Sequence, residues 1–260
     1  MPLDASKTQT LDLPSTLRAL GLWKIAGECD DFLARATKSR FSPHQVLEEL
    51  ARLESLERAQ KSAERRLKRA RLGRFKPIAD FDWNWPKKID RSAVERVLAH
   101  GFLEHAENVV LVASQGLGKT MIAKNVVHQA VLAGGNALFI TASDLLLDLA
   151  KQETARALER RLRYYTQTPL LAIDEVGYLS YDNHAADLLF QIVSRRYEHR
   201  PIVLTTNLAF SEWNTIFPNG ACATALIDRL THHAEILLIE GESYRKRDAE
   251  RAQTARRHGR

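Results

Sequence analysis

Residues 109–120 read VVLVASQGLGKT, so five apolar residues run directly into a glycine-rich stretch. The apolar residues predict a buried strand, and the residues after the glycines predict a helix. A loop in this position turns backbone N–H groups and the positive end of a helix dipole toward bound phosphates. Lys119 can then reach the β and γ phosphates of a nucleotide, and the Thr120 hydroxyl can coordinate Mg²⁺. We identify as nucleotide-binding residues Ser114, Gln115, Gly116, Leu117, Gly118, Lys119, Thr120 and Met121.

One position departs from the usual phosphate-loop pattern, which has glycine where this chain has Ala113. Gly116 and Gly118 still permit the close approach of backbone to phosphate that a side chain would block. Alanine at position 113 is compatible with the loop if its backbone keeps a negative φ. The departure therefore concerns the detailed conformation of the loop.

A second apolar run delivers two carboxylates. Residues 170–175 read LLAIDE, and the run ends in Asp174 and Glu175. Doubly wound sheets bind ligands at the carboxyl ends of their strands, so these acids should lie beside the phosphate loop. Asp174 is suited to hold Mg²⁺, directly or through water, and Glu175 to polarise the attacking water as a general base. The paired acids indicate nucleotide hydrolysis rather than a simple nucleotide switch.

Three further polar residues are candidates for the same site. Asn207 follows the apolar run 202–206, and its amide can orient water or sense a γ-phosphate without adding charge. Arg229 and Arg245 flank the run 236–239, and a guanidinium binds phosphate oxygens in bidentate fashion. Taken singly, a strand-end asparagine is more often a cap or turn residue, and an arginine a surface ion-pair partner. The catalytic candidates are Lys119, Glu175, Asn207, Arg229 and Arg245.

Short apolar runs alternate with amphipathic segments from about residue 91 onward, which predicts an α/β fold. Five strands are expected at residues 109–113, 137–141, 170–174, 202–206 and 236–239. Helices are expected at residues 120–132, 143–165, 184–198 and 223–232, the first of them ended by Gly134 and Gly135. The expected architecture is a five-stranded parallel sheet covered by helices on both faces.

The N-terminal part of the chain predicts a small all-α domain, because residues 14–72 hold almost no β-branched runs. Prolines after residue 76 prevent a continued helix, and we expect the rings of Trp83 and Trp85 to pack on the next domain rather than stack on bases. The predicted division is a helical domain for DNA or partner binding at 1–75, a linker at 76–90, a P-loop NTPase core at 91–245 and a basic tail at 246–260.

The net charge of +6 is unevenly distributed along the chain. Residues 61–76 hold eight lysines and arginines against one acid, and residues 245–260 hold seven against two. Clustered cations displace condensed counterions from phosphates, which favours a nucleic acid partner, although a solvated helix face and a basic tail explain the same charges. The DNA-binding candidates are Lys61, Arg65, Arg66, Lys68, Arg69, Arg71, Arg74 and Lys76.

Composition also indicates the cellular compartment. The longest unbroken apolar run is residues 109–113, too short for an export signal or a membrane span. Cys29 and Cys222 have no CxxC partner, which fits a reducing cytoplasm. His232 and His233 could suggest a metal site, but without further ligands at suitable spacing a plain pair at a helix end is the simpler interpretation. We expect a cytoplasmic protein with no membrane partner.

The order of these motifs resembles that of the AAA+ ATPases of the IstB and DnaC group. It comprises the glycine-rich loop, the strand ending in Asp-Glu, the strand ending in TTN, the DRL helix and the SYR segment. Several stretches are similar to IstB, the transposition helper ATPases of bacterial insertion sequences. They are residues 174–179, 196–198, 210–213, 216–217, 226–233 and 241–245. The resemblance covers most of the chain, including its helical N-terminal part.

The resemblance implies an ATP- and Mg²⁺-dependent homo-oligomer that assembles on double-stranded DNA, without sequence preference, and stimulates an IstA-like transposase. In such a protein Arg229 would be the arginine finger that reaches a neighbouring subunit's nucleotide. Arg245 would sense the nucleotide of its own subunit, and Asn207 would be the polar sensor residue. A DnaC-like helicase loader, which binds a hexameric helicase and single strands, has nearly the same core and is the alternative function. A metabolic P-loop kinase is disfavoured because no acceptor-site or lid motif is recognisable.

Overall fold

The computed structural model of the chain describes residues 12–178 and 180–250. Its contacts divide the chain into two units, residues 1–65 and residues 66–260. Leu179 and residues 251–260, the greater part of the predicted basic tail, lie outside the described residues. Among the described residues, no helix combines the length and the apolar character that crossing a bilayer requires.

The first unit is entirely helical where it is described, as the sequence predicts. It contains α1 (Leu13–Ala19), α2 (Trp23–Gly27), α3 (Cys29–Lys38) and the greater part of α4 (Pro43–Ala70). Leu17, Ile25 and Phe32 form its small core, against which apolar residues of α4 such as Leu50 pack. The buried carboxylate of Glu54 in α4 accepts the backbone N–H of Ile25 at 2.9 Å. This contact satisfies one of the N–H groups that the first turn of α2 leaves unpaired.

The second unit is built on a five-stranded sheet in which neighbouring strands are parallel. The strands are β1 (Asn108–Ala113), β2 (Ala137–Thr141), β3 (Leu170–Val176), β4 (Ile202–Thr206) and β5 (Ala234–Ile239). They stand in the order β2-β3-β4-β1-β5. The five predicted strands and the parallel sheet are therefore confirmed, with β5 beginning at Ala234 rather than at residue 236.

The central strands carry apolar residues on both faces because helices cover both faces of the sheet. In β1, Val109 and Leu111 belong to one core cluster, whereas Val110 and Val112 belong to the other. The first cluster is covered by α5 (Arg91–Leu98) and α6 (Lys119–Leu132). The second is covered by α7 (Ala142–Ala150), α8 (Ala155–Gln167), α9 (Asn183–Arg196) and α10 (Gly220–Thr231). Strands in this position read as continuous apolar runs instead of alternating ones.

One predicted helix is wrong, because residues 143–165 fall in two helices, α7 and α8, separated by residues 151–154. The Thr154 side chain accepts the N–H of Ala157 and so begins α8. Gln152 donates its side-chain N–H to the carbonyl of Asp148 in the last turn of α7. Apolar spacing alone does not reveal a threonine cap inside a longer amphipathic pattern.

Residues 76–90, which belong to the second unit, pack within it through aromatic side chains. A 3₁₀ turn, Ile78–Asp80, precedes Phe81, a buried residue whose ring centroid lies 4.7 Å from that of Trp83. The Arg91 guanidinium lies over the Trp83 ring at 5.0 Å, and Trp85 is half-buried. These contacts support packing rather than base stacking as the role of both tryptophans.

A buried arginine joins the amino ends of two strands. Arg196, at the end of α9, has 0% exposure, and burial lowers the pKa of its guanidinium to about 9, so the group stays charged at neutral pH. Its Nη1 and Nη2 groups donate to five backbone carbonyls. The acceptors are Tyr165, Thr166, Thr168, Pro169 and Pro201, at 2.6 to 3.3 Å. The side chain thus connects the end of α8 to the residues that precede β3 and β4.

Arg196→Met should lower the free energy of unfolding by about 3 kcal/mol or more, because several buried carbonyls lose a charged donor. The adjacent Arg195 provides a matched control, since it is exposed and pairs with Glu159 at 2.9 Å. Arg195→Met should cost less than about 1 kcal/mol. Denaturant unfolding of both variants measures the difference, and equal losses would contradict the structural role of Arg196.

Candidate functional site

The loop between β1 and α6 requires glycine at two positions. Gly116 and Gly118 have φ values of 78° and 92°, in the left-handed region that other residues rarely adopt. A Cβ on Gly116 would lie 2.2 Å from Ser243 Oγ, and a Cβ on Gly118 would lie 2.5 Å from Phe81 Cε2. Neither position has room for a side chain, so the contacts of the loop with Ser243 and Phe81 require glycine at both.

Ala113 is accommodated because it is the last residue of β1. It pairs with Ile239 of β5 in extended conformation, where φ is negative and glycine is not required. Its carbonyl accepts a hydrogen bond from Lys119 Nζ at 2.6 Å. The departure from the usual pattern at this position is therefore compatible with the loop.

Lys119 is a buried cation held on the loop. Its Nζ also donates to the carbonyl of Ser114 at 2.9 Å, and the residue is only 8% exposed. Burial lowers the pKa of this ammonium below its ordinary value; Asp174 and Glu175 raise the pKa, and Arg245 lowers it further. The carbonyls carry no charge that would neutralise the ammonium, which leaves it a strong partner for an anion.

The two acids at the end of β3 occupy a β-bulge. The register between β3 and β4 shifts between Ile173 and Val176, so that Asp174 and Glu175 together stand opposite Thr205. The Glu175 backbone has a φ of 62°, and bulges of this kind redirect side chains. Asp174 is consequently buried at 3% exposure while Glu175 is exposed. The bulge gives neighbouring carboxylates different environments, as their different predicted roles require.

Asp174 is fixed by two threonine hydroxyls. Thr120 Oγ1, from the first turn of α6, donates to its carboxylate at 2.9 Å, and Thr205 Oγ1 donates to Oδ1 at 2.5 Å. The same Thr205 hydroxyl accepts the backbone N–H of Glu175 at 2.9 Å. Thr205 therefore orients both acids. Sequence reasoning did not assign it, although the threonine pair that ends β4 was the available signal.

A cleft of about 420 Å³ opens beside the phosphate loop. Its walls include loop residues 116–121, the aromatic side chains of Phe81 and Trp85, and the C-terminal residues Tyr244 and Arg245. The cleft thus combines apolar rings with the glycine-containing loop and five cationic side chains, which suits a nucleotide that carries both a base and phosphates.

The C-terminal segment closes one side of this cleft. The Tyr244 N–H donates to the Gly116 carbonyl at 3.0 Å, and Trp85 Nε1 donates to the Glu242 carbonyl at 2.7 Å. Arg247 donates to Asp82 at 2.9 Å and lies 3.8 Å from the Trp85 ring centroid. These contacts connect residues 76–90, the phosphate loop and the C-terminal segment. Arg245 lies in that segment and therefore lines the cleft.

The structure brings most, but not all, of the catalytic candidates together. Asn207 follows β4, which lies between β1 and β3, so it stands between the phosphate loop and the acids. Arg229 lies at the other end of the sheet, because its carbonyl accepts from the side chain of Asn108, the first residue of β1. A strand of this length spans about 16 Å, so Arg229 is remote from the loop of its own chain.

The basic candidates divide between the two units. Lys61 and Arg65 lie in the first unit and the other six in the second. Seven of the eight are exposed, and Arg66 is half-buried. Arg74 and Lys76 also line the nucleotide cleft, a position that the charge pattern did not predict.

Comparison with known proteins agrees with this geometry. Residues 15–252 match the model of the IstB-like ATP-binding protein family. The chain belongs to that family. It is 36% identical over 213 residues to a Geobacillus stearothermophilus protein named as an ATP-binding protein of insertion sequence IS5376, covering 82% of the chain and 85% of the relative. It is 35% identical over 241 residues to the similarly named IS21 protein of Pseudomonas aeruginosa, covering 93% and 91%.

Solved structures identify the fold of this IstB-like chain as AAA+. DnaI matches 64% of the chain and 89% of its own length with a TM-score of 0.53 at 19% identity. A replication initiator DnaA bound to AMPPCP and single-stranded DNA matches 63% of the chain and 52% of its own length, with a TM-score of 0.51 at 16% identity. At these identities the likeness concerns the fold alone. The expected AAA+ P-loop fold and the family resemblance are both confirmed.

Gly118→Ala in this IstB-like chain should lower ATP affinity about tenfold or more, because the new Cβ would displace Phe81 at the cleft. Gly134 is a matched control, since its φ is 93° and no other atom lies within 4 Å of the place that a Cβ would take. Gly134→Ala should cause similar backbone strain and leave ATP affinity unchanged. Calorimetric titration with ATP measures both, and undiminished binding by Gly118→Ala would show that the loop does not grip the nucleotide as argued.

Proposed function

We propose that this IstB-like chain is a cytoplasmic Mg²⁺-dependent ATPase that assembles on double-stranded DNA and assists a transposase of its insertion sequence. The observation that carries the proposal is the convergence of Lys119, Thr120 and Asp174 at a loop whose two glycines leave no room for side chains. Relatives named as ATP-binding proteins of insertion sequences supply the genetic context.

The residues at the loop fit a nucleotide with its metal ion. The bare backbone of residues 116–118 and the unneutralised Lys119 ammonium suit phosphate oxygens. Thr120 and Asp174 offer the hydroxyl and carboxylate oxygens that Mg²⁺ prefers, and they already contact each other at 2.9 Å. Bound there, Mg²⁺ would neutralise charge that develops on the phosphates during transfer.

Hydrolysis is assigned to Glu175 acting as general base. Its carboxylate is exposed beside the buried Asp174, and its backbone is held by the Thr205 hydroxyl at 2.9 Å. A carboxylate in this position can accept a proton from a water aligned for attack on the γ-phosphate. The amide of Asn207, on the strand between the loop and the acids, can orient that water. Arg245, at the rim of the same cleft, can bind a phosphate of its own chain's nucleotide.

Arg229 is proposed to act on the nucleotide of a neighbouring subunit. It lies near the amino end of β1, whereas the phosphate loop follows the carboxyl end. It donates to the Ala225 carbonyl at 3.0 Å and lies over the Phe190 ring at 4.9 Å. A guanidinium so far from its own loop can assist phosphoryl transfer only across an interface. ATP would thereby stabilise an oligomer, and hydrolysis would loosen it.

The DNA contacts are proposed to come from the exposed basic residues of 61–76, with residues 1–75 serving as the DNA- and partner-binding region. Contacts of lysine and arginine with phosphates are independent of base sequence and weaken strongly with salt. A helper of transposition should prefer duplex DNA, whereas a helicase loader should prefer single strands. DNA preference therefore separates the two candidate functions.

Glu175→Gln should keep ATP binding and lose about 100-fold or more of the ATPase rate, because the amide cannot accept the proton. Duplex DNA should stimulate the wild type, and ATP-bound assemblies on duplex should accumulate in the variant. Steady-state ATPase assays with duplex or single strands, and electron microscopy of the variant, measure these outcomes.

Glu153→Gln serves as the control, because Glu153 is an exposed acid between α7 and α8 and should leave the rate unchanged. Stimulation by single strands but not by duplex would favour the helicase-loader function. Absence of ATP turnover by the wild type with either DNA would overturn the proposed enzyme activity.

Mixing two inactive variants tests the role of Arg229. In an assembly of Arg229→Ala and Glu175→Gln subunits, some interfaces pair an intact Glu175 with an intact Arg229 from the neighbour. Such mixtures should regain about a quarter of the wild-type ATPase rate if the arginine acts across the interface. A mixture in which the second subunit carries both substitutions should stay inactive. No recovery in the first mixture would indicate that Arg229 does not act between subunits.

A further inference from the structure

A second cluster of ligand-type side chains lies far from the nucleotide cleft, at the amino ends of the strands. It consists of Glu198, in the turn after α9, His232, at the end of α10, and His233, just before β5. One ligand atom from each residue lies within 4.8 Å of the other two. The sequence alone indicated only the pair His232 and His233. The fold adds Glu198, which lies 34 residues before His232 in the chain.

We propose that Glu198, His232 and His233 form a binding site for one divalent transition-metal ion of the zinc type. A carboxylate oxygen of Glu198 lies 3.8 Å from His232 Nδ1 and 3.9 Å from His233 Nε2. Ligand atoms around a tetrahedral zinc ion stand roughly 3.4 Å apart, given metal–ligand distances of about 2.0 to 2.1 Å. Rotation of the exposed side chains would bring Glu198 closer to each histidine by roughly 0.5 Å. The two histidine ligand atoms, which lie within 4.8 Å of each other, would also have to approach.

The kind of ligand selects the kind of metal. Two imidazole nitrogens and one carboxylate favour zinc, cobalt, nickel or copper over magnesium and calcium, which prefer oxygen ligands. The three side chains are each about half exposed, so an ion can enter and water can complete its coordination.

The backbone holds Glu198 and His233 in place, and a neighbouring hydroxyl contacts the third ligand residue. Glu198 adopts a φ of 59°, a left-handed conformation that is uncommon outside glycine and directs its side chain toward the histidines. The Tyr197 hydroxyl lies 2.7 Å from His232 Nδ1, so an ion bound through that nitrogen would displace this hydrogen bond. The His233 carbonyl accepts the N–H of Asn108 at 2.7 Å, which fixes the residue at the start of the sheet.

A metal ion here would connect two segments of the second unit that the chain does not connect directly. It would join the turn between α9 and β4 to the end of α10, the helix that carries Arg229. Glu198, His233 and Arg229 line the same cavity of about 330 Å³. The Arg229 charge opposes a cation, but its guanidinium is drawn toward Phe190, and the Glu198 carboxylate supplies compensating negative charge.

The test uses the full chain without nucleotide, stripped of metal and titrated with Co²⁺, followed by displacement with Zn²⁺. Four-coordinate Co²⁺ absorbs strongly in the visible range, so the spectrum reports both binding and geometry. The wild type should bind one Co²⁺ ion at this cluster, and Zn²⁺ should abolish the absorption. Glu198→Gln, His232→Gln and His233→Gln should each weaken binding roughly tenfold or more.

Two controls make the result specific. His184→Gln removes an exposed histidine at the start of α9 and should bind as the wild type does. Asp174→Asn, which disables the proposed magnesium ligand of the nucleotide site, should also leave Co²⁺ binding intact. Circular dichroism of every variant, and ATP binding of the His184 and cluster variants, monitor folding.

Absence of the four-coordinate spectrum in the wild type, or binding that survives all three substitutions in the cluster, would overturn the proposal. Loss of binding in Asp174→Asn but not in the cluster variants would assign the ion to the nucleotide site and would likewise overturn it. Neither outcome depends on ATP hydrolysis, so failure of this proposal and failure of the proposed ATPase activity are distinguishable.

Discussion

The carboxylate of Asp174 connects the three elements that make the site. Thr120 brings the first turn of α6 to it, Thr205 brings β4, and Asp174 itself ends the main run of β3. All three side chains are at least half-buried. Breaking either hydrogen bond would therefore leave a buried polar group unpaired, which lowers the free energy of unfolding. The phosphate loop therefore cannot shift relative to the acids without breaking contacts of a buried charge.

The β-bulge explains how two successive acids serve different purposes. In a regular strand the neighbours Asp174 and Glu175 would point to opposite faces of the sheet, where helices cover both. Placing both opposite Thr205 lets Asp174 remain buried near Lys119 while Glu175 reaches solvent at the strand end. The left-handed backbone of Glu175 carries a conformational cost, which the hydrogen bond from its N–H to Thr205 helps to offset.

Sequence patterns predicted what depends on local chemistry and missed what depends on contacts distant in the chain. Apolar runs predicted all five strands because the sheet is covered on both faces, and the glycine spacing predicted the loop. The break between α7 and α8 was not predicted, because the Thr154 cap that begins α8 does not interrupt the spacing of apolar residues. Thr205, Arg196 and Glu198 each have partners 27 to 35 residues away, and periodicity carries no information on such partners.

The opposite placement of the phosphate loop and Arg229 constrains any assembly in which they meet. A two-fold interface uses the same patch on both subunits, so that patch would have to include both ends of one strand. The loop follows the carboxyl end of β1 and Arg229 adjoins its amino end. A head-to-tail contact satisfies the geometry without that requirement, since one subunit offers its loop and the next its arginine. Repeating such a contact produces a closed ring if the rotation between subunits closes, and a helical filament if it does not.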